Sequence, residues 1–439
     1  MTNSLAGLAS EAKHLVVICG GGVAGSEAAA VCASKGIVAV VIEQNPCPYG
    51  KIEDGLPRWH GKYRQKECER IAVNLATPGV VFVPNTRIGR DIAFDELLKE
   101  WQPSALLLAN GAWRDRPLPV GGIDRFIGRG LVYQNPFVHW FNHYPESGYS
   151  GPHYDLVDDI IVVGGGLASI DVAKIINLEL YSRALRSRGI DIPVVEMHRL
   201  GIAVVLDKHR LTPEELGVKG CTLFYRRRKR DMPLSFPPAN PTPEQLEKTA
   251  SVRERVMDSC IKKFLVRFRE RNLPIGALVE EDRLIGLRFR RTDIRDGRVI
   301  ELPGTEHEVR SQLIVSSIGS VPEPVEGIPT HGEFYNFSNG DTGELTDLPG
   351  VFGLGNVLAG KGNVQESRAN ARGVTERVIT HYLGVGDDDG VAPRAPLSPK
   401  HLARVFDRVQ ARWKQVGYDG DCQAWIQRMT PPDLATVNP

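Results

Sequence analysis

Gly20, Gly22 and Gly25 form a G-x-G-x-x-G set between the apolar run Leu15 to Ile18 and the Ala-rich stretch Ser26 to Ser34. The chemistry this spacing supports is phosphate binding. Gly20 permits a tight strand-to-helix turn, Gly22 lets backbone approach a pyrophosphate, and Gly25 lets the helix lie close to the strand. The N-terminus of that helix, with Val23 and Ala24 beside it as cofactor-binding candidates, presents N–H groups and positive partial charge to an anion. A second apolar run, Ile37 to Ile42, ends on Glu43 and Gln44. An acid in that place can accept both hydroxyls of an adenosine ribose. The glycine spacing alone is weak, because Gly-rich turns are common. Strand, glycines, helix, strand and terminal acid in that order are strong, and they predict a dinucleotide cradle.

The theme recurs. Ile160 to Val163 reads as a buried strand, followed by Gly164, Gly166 and Ser169, with a helix from Ala168 to Leu178; Leu167 and Ala168 are cofactor-binding candidates. Serine in the third place asks for slightly more room between helix and strand. The two fingerprints lie about 140 residues apart, the length of a domain. The next strand, Thr222 to Tyr225, comes only after a charged insertion from Glu179 to Gly220, and it ends in Arg226, Arg227, Arg228, Lys229 and Arg230. Arginines there suit a 2′-phosphate, as in NADP(H), where an acid would suit a ribose diol. The plainer alternative is a solvated basic turn.

The elements that must hold these residues follow from pattern. Arg64 to Ala76 and Phe94 to Trp101 read as helices, Gly79 to Val83 and Ala105 to Leu108 as strands, the latter ending in Asn110, Gly111 and Ala112. Glu244 to Arg271 starts helical and then alternates, and Leu287 to Arg290 reads as a strand with one basic face. Those arginines could dock an acidic protein, though a solvated sheet face is the plainer reading. Val309 to Ile318 is a buried strand leading into Gly319. A last strand ends at Gly355 and Asn356, and a helix starts at Val364 after Gly362 and Asn363. Beyond the GVGDDDG and VAPRAPLSP linker, Lys400 to Val416 is amphipathic and either folds back on the body or docks on a partner.

A chain of 439 residues favours two or three domains. Hydrophobic residues at 42% and charged residues at 24% suit a soluble globular protein. The net charge of +1 points to neither nucleic acid nor an anionic membrane. No apolar run approaches a membrane span, and the short stretch before the first strand is too brief for a secretory signal. The seven cysteines contain no C-x-x-C, so local spacing builds neither a redox disulfide nor an iron–sulfur site, and buried inert thiols are the reading for Cys19 and Cys32. A cytoplasmic location and no resident metal are expected. The fold class is α/β, with two Rossmann-like domains. The expected divisions are 1–155, 156–322, 323–385 and a helical extension over 386–439.

The whole pattern over roughly residues 14–383 resembles the FAD-dependent pyridine nucleotide oxidoreductases. Within them it is most similar to the adrenodoxin reductase and ferredoxin–NADP⁺ reductase branch and to the small subunit of bacterial glutamate synthase. The resemblance implies that the first fingerprint binds FAD and that an inserted second domain binds NAD(P)H. Pro48-Tyr49-Gly50 followed by Gly55-Leu56-Pro57 resembles the loop beside the flavin ring, and His60 matches a histidine kept near it. Tyr225-Arg226-Arg227 with Met232-Pro233 is similar to the glutamate-synthase motif. Gly355-Asn356 stands where many relatives have Gly-Asp. Gly362-Asn363-Val364 matches the helix start facing the flavin, whose N–H groups would stabilise negative charge on the reduced ring. The resemblance also makes Ile88 and Gly319 cofactor-binding candidates.

What this implies is an FAD-containing oxidoreductase. A hydride passes between nicotinamide and flavin, and single electrons pass to or from an iron–sulfur protein or a partner subunit. The iron–sulfur module of the glutamate synthase subunit has no counterpart here, so such a centre must sit on another polypeptide. Flavin subunits of this size also occur in multi-subunit iron–sulfur enzymes such as tungsten-dependent aldehyde oxidoreductases. Because reacting atoms must come within roughly 3–3.5 Å, the nicotinamide domain is expected to swing or clamp over the flavin. His60 would tune or gate the ring. Two other function classes remain open at this level: a flavin monooxygenase or oxidase, and a non-catalytic FAD-binding scaffold subunit.

Overall fold

Two parallel sheets, each five strands wide, carry the two glycine fingerprints. The computed structural model describes residues 5–238, 240–338, 342–360, 362–386, 393–431 and 434. They form two compact units. One comprises residues 1–56, 60–114 and 320–439, and the other, residues 57–59 and 115–319, interrupts it along the chain.

In the first unit the sheet order is Val351–Gly353, Ala105–Leu108, Leu15–Cys19, Val38–Ile42 and Val80–Val83. Every pairing is parallel, with Val16 opposite both Ala39 and Ala105. Leu15–Cys19 and Val38–Ile42 are buried at every position, as strands covered by helices on both faces must be. The strand order reverses around Leu15–Cys19, which opens a crevice at the carboxyl ends of the strands, beside Gly20.

The second unit repeats the plan, in the order Leu131–Tyr133, Ile314–Ser317, Ile160–Gly164, Cys221–Phe224 and Arg267–Arg269. Its switch point falls at Ile160–Gly164, between Ile314–Ser317 and Cys221–Phe224. An antiparallel sheet of Asn272–Glu280, Arg283–Arg295, Arg298–Glu301 and His307–Arg310 completes it.

Several expectations are corrected. The units divide at Asp115 and Gly319 rather than at 156 and 322. Leu131 pairs with Ile314, and Phe137, Val138, Trp140 and Phe141 join the core around Ile160 and Val162. A three-residue strand inside an aromatic loop carries no periodicity to announce this. The helix opening at Leu167 runs to Arg186, and the charged insertion behind it folds as Val194–Leu200, Ile202–Lys208 and Pro213–Leu216. Met197, Ile202, Val205 and Leu206 anchor that stretch in the core. The run expected as one strand over Val309 to Ile318 splits between the two sheets, and the break is at Ser311, whose Oγ accepts from the Ile161 and Leu313 amides. The basic face of Arg283–Arg295 is neutralised: Arg288 pairs with Glu308, and Arg290 with Glu301 and Glu306. That leaves little charge to attract an acidic partner.

The amphipathic tail folds back. Its helix, Pro399–Val416, buries Leu402, Val405, Phe406 and Val409 against Leu15, Val17 and Val40. Each such side chain contributes about 1.5–3 kcal/mol of transfer free energy. Trp413 Nε1 donates to the Phe82 carbonyl at 2.8 Å. A second helix, Cys422–Met429, which the sequence reading did not anticipate, buries Trp425 and Ile426 in the same unit. Lys361 and residues 387–392 of the expected linker lie outside the described residues.

Candidate dinucleotide-binding sites

The first glycine turn is built as its spacing requires. Gly20 sits at φ +105°, and a Cβ there would lie 2.6 Å from the Ala109 carbonyl oxygen. A Cβ on Gly25 would lie 1.8 Å from the Gly20 oxygen, so the helix Val23–Ser34 can approach its strand only because that atom is missing. Around Gly22 the nearest atom to such a Cβ is the Pro48 oxygen at 3.8 Å, which leaves open space over the helix N-terminus at Val23 and Ala24. Glu43 is buried beside the turn. Its Oε2 accepts from the Gly21 amide at 2.7 Å and its Oε1 from the Asn45 amide at 2.9 Å. Burial raises its pKa, and hydrogen bonds from the amides of Gly21, Asn45 and Gln44 pull it partway back. Ile88 is half-buried in a bridge with Ile92.

Two other segments converge on this turn. Ala109, against Gly20, leads into Asn110, whose Nδ2 donates to the Tyr335 hydroxyl at 3.1 Å, and then into Gly111 at φ +70° and buried Ala112. Gly355, at φ +62°, places its missing Cβ 3.0 Å from Ala24 Cβ and 2.5 Å from Ser367 Oγ, and its amide donates to Asn370 Oδ1. Asn356 follows, with Gly362 beside it at φ +110°. Asn363 caps the helix Val364–Arg377, its Oδ1 accepting from the amides of Gln365 and Glu366. The expectation that several N–H groups of this helix serve a ligand therefore narrows to the amide of Val364.

Side chains outside the predicted set hold this arrangement. Glu27 and Glu67, both buried, draw in Arg368, while Arg372 and Arg70 also reach Glu27. The cluster pins the helix Val364–Arg377 to Val23–Ser34 and to Gly61–Leu75. Acids and arginines at helical spacing read from sequence as solvated faces, so no signal marked them. Buried Arg64 donates to the carbonyls of Ile52 and Glu53 and fixes the loop after Gly50. His60 is half-buried at the N-cap of Gly61–Leu75. Tyr49 is turned into the core, and its hydroxyl meets Thr430 Oγ1 at 2.8 Å, so what it offers a ligand is backbone.

The second cradle follows the same construction. A Cβ on Gly164 would lie 2.4 Å from the Ser317 oxygen, and one on Gly165 would strike the Tyr225 ring, whereas nothing lies within 4 Å of one on Gly166. Gly166 is the N-cap of the helix Leu167–Arg186, with Leu167 exposed and Ala168 half-buried. Ser169 is fully buried, and its Oγ donates to the Gly166 carbonyl at 2.7 Å, which satisfies the hydroxyl that replaces a third glycine. Gly319, at φ +107°, also faces open space. In the basic turn, Arg227 donates to the Gly297 carbonyl and Arg228 pairs with Asp231, while exposed Arg226 has no ion pair among the described residues. Burial pushes the thiols of Cys19 and Cys32 up to about 12, so neither is a nucleophile.

No protein-family model matches the chain. It is 22% identical over 450 residues to the mitochondrial NADPH:adrenodoxin oxidoreductase of Arabidopsis thaliana, covering 92% of this chain and 88% of that protein. It is 21% identical over 403 residues to the glutamate synthase [NADPH] small chain of Mycobacterium tuberculosis, covering 88% and 69%. Its fold matches that of Mycobacterium tuberculosis FprA in complex with NADPH, with a TM-score of 0.67, 19% identity and coverage of 92% and 91%. Fold and sites together define an α/β protein with two dinucleotide cradles, the second on an inserted unit. In sequence and in fold the chain is similar to the FAD-dependent pyridine nucleotide oxidoreductases.

The first cradle fits the cofactor of that family on an observation of its own. Asn110 Oδ1 and Asn356 Oδ1 are buried acceptors with no hydrogen-bond partner among the described residues. Buried polar atoms are seldom left so. The hydroxyls and the ring N–H of a flavin dinucleotide are donors of the kind these atoms lack.

Proposed function

We propose that the chain is an NAD(P)H–flavin oxidoreductase that binds FAD in the first unit and NAD(P)H in the second, and exchanges single electrons with an iron–sulfur protein or partner subunit. The observation that carries this reading is the doubled cradle. Gly22 and Gly166 each leave space over a helix N-terminus at a strand-order reversal, while Gly20, Gly25 and Gly164 are closed by backbone contact. Bound FAD supplies hydride exchange with nicotinamide and one-electron exchange with the partner.

The protein's part is placement. The amides at Val23 and Ala24 hold the pyrophosphate of FAD, and Glu43 accepts from its ribose. Asn110 and Asn356 take hydrogen bonds that no other described residue supplies. The Val364 amide faces the ring end, and His60 adjusts or gates the ring. In the second unit, Leu167 and Ala168 open the helix that receives the nicotinamide dinucleotide, and Arg226 favours the one bearing a 2′-phosphate. Support for the iron–sulfur partner comes from a relative named for adrenodoxin and another named as a glutamate synthase subunit.

Anaerobic stopped flow tests the reading. The flavin's visible absorbance is expected to fall on mixing with NADPH, and more slowly with NADH. A flavin that neither nucleotide bleaches overturns the proposal. Slow reoxidation in air with fast turnover on ferredoxin is the further expected result, and rapid oxygen consumption would replace the iron–sulfur partner with oxygen.

A further inference from the structure

The carboxyl-terminal helix Cys422–Met429 lies against the loop that crosses the first glycine turn, and two of its contacts are hydrogen bonds between residues far apart in sequence. Trp425, 2% exposed, donates from Nε1 to the Pro46 carbonyl at 2.8 Å. Thr430 Oγ1 lies 2.8 Å from the Tyr49 hydroxyl. The direction of the second bond is fixed by proton count. Thr430 has one hydroxyl proton and gives it to the Ile426 carbonyl at 2.7 Å, so it can only accept from Tyr49. Burial raises the Tyr49 pKa, so its hydroxyl keeps the proton it donates.

Between these two anchors the loop lies over the glycine turn. A Cβ on Gly21 would be 3.0 Å from Pro48 Cβ, and one on Gly22 would have the Pro48 oxygen as its nearest neighbour, at 3.8 Å. Gly50, at φ +52°, then starts the short helix Lys51–Asp54. A shift of the strap therefore moves Pro48, which forms one wall of the space over Gly22. Tyr418 stands edge-on to both Trp413 and Trp425, and Trp413 is bonded to Phe82, so the strap is itself tied to the sheet.

We propose that Trp425 and Thr430 are positioning residues for the FAD site: the carboxyl-terminal helix is a strap that fixes the Pro46–Gly50 loop at the spacing FAD requires. This rests on the reading that FAD occupies the first cradle.

The test is FAD titration of the deflavinated full-length chain, read by quenching of flavin fluorescence, for wild type, Thr430→Val, Thr430→Ser and Trp425→Phe. Thr430→Val keeps the side chain's shape and leaves the buried Tyr49 hydroxyl without its acceptor. It is expected to weaken FAD binding about tenfold. Thr430→Ser restores the acceptor and is expected to bind as wild type does, which general loss of packing would not produce. Trp425→Phe is expected to behave as Thr430→Val does, and thermal unfolding of the FAD-free variants checks that the first unit remains folded. Equal FAD affinity in wild type, Thr430→Val and Trp425→Phe overturns the strap alone. A Thr430→Ser as weak as Thr430→Val also overturns it. A wild-type chain that takes up no FAD overturns the proposed function as well.

Discussion

Gly22 and Gly25 stand three residues apart in one turn, yet an added methyl group would meet opposite surroundings at the two positions. At Gly25 it would overlap the Gly20 oxygen, so Gly25→Ala must push the helix off its strand. Overpacking of this kind costs about 1–3 kcal/mol, occasionally more. At Gly22 the φ of −65° suits any residue and the nearest atom is 3.8 Å away. Gly22→Ala is therefore expected to unfold at the same temperature as wild type and to lose FAD affinity about tenfold or more, because the methyl occupies the pyrophosphate's approach. Differential scanning and FAD titration of both variants check this, and a Gly22→Ala that binds FAD normally contradicts it. Glu43 gives a pH test. Its folded pKa is raised above its ordinary 4.5, chiefly by burial. The stability this adds is fully present below the ordinary value and is lost as pH rises through the raised one. In FAD-free protein, wild type should gain stability relative to Glu43→Gln as pH falls from above the ordinary carboxylate range toward it. A gap in unfolding midpoint that does not change with pH would rule this out.

Elements make the site by convergence, and here the sequence was legible only in part. The glycine turns, their strands and the acid after the second strand could be read because each depends on neighbours within a few tens of residues. Leu131–Tyr133 could not, since its place in the second unit comes from its pairing with Ile314–Ser317 and its burial in that unit's cores, partners far away in sequence. The helix Cys422–Met429 was missed because its eight residues are too few for a periodic signal, and its partners are Pro46 and Tyr49 at the other end of the chain. The Glu27, Glu67, Arg368 and Arg372 cluster is of the same kind, because alternating charge on a helix gives no sign that a second helix will bury it. Its energetics follow from that burial. Arg368 is the arginine that reaches Glu67, which is 6% exposed at its side chain. Arg368→Met should strand that carboxylate and cost about 3 kcal/mol, near the lower end for breaking a buried pair. Adding Glu67→Gln should recover part of the loss. Urea midpoints for the first unit's transition in a double-mutant cycle measure this, and strict additivity would mean that the pair is not coupled.

At the scale of the molecule, what matters is that the two cradles are built twice over from separate cores. The sheet around Leu15–Cys19 packs against helices of its own unit, and the sheet around Ile160–Gly164 packs within its own unit against helices on one face and against the strand Arg283–Arg295 on the other. Their glycines solve the same steric problem with different atoms: Ala109 and Gly20 in one, Ser317 and Tyr225 in the other. Lesions in the two should therefore separate. Nothing lies within 4 Å of a Cβ on Gly166, so Gly166→Ala leaves the second unit folded and blocks only the space over its helix N-terminus. Such a chain should purify with a full complement of FAD and an unchanged unfolding midpoint, yet its flavin should be reduced by NADPH at least about tenfold more slowly at a fixed, subsaturating concentration. A small-molecule reductant that needs no nucleotide site should still reduce that flavin at the wild-type rate. If Gly166→Ala instead lost FAD, the two sites would not be independent. If it kept both FAD and full NADPH reduction, the nucleotide would have to enter somewhere other than the second cradle.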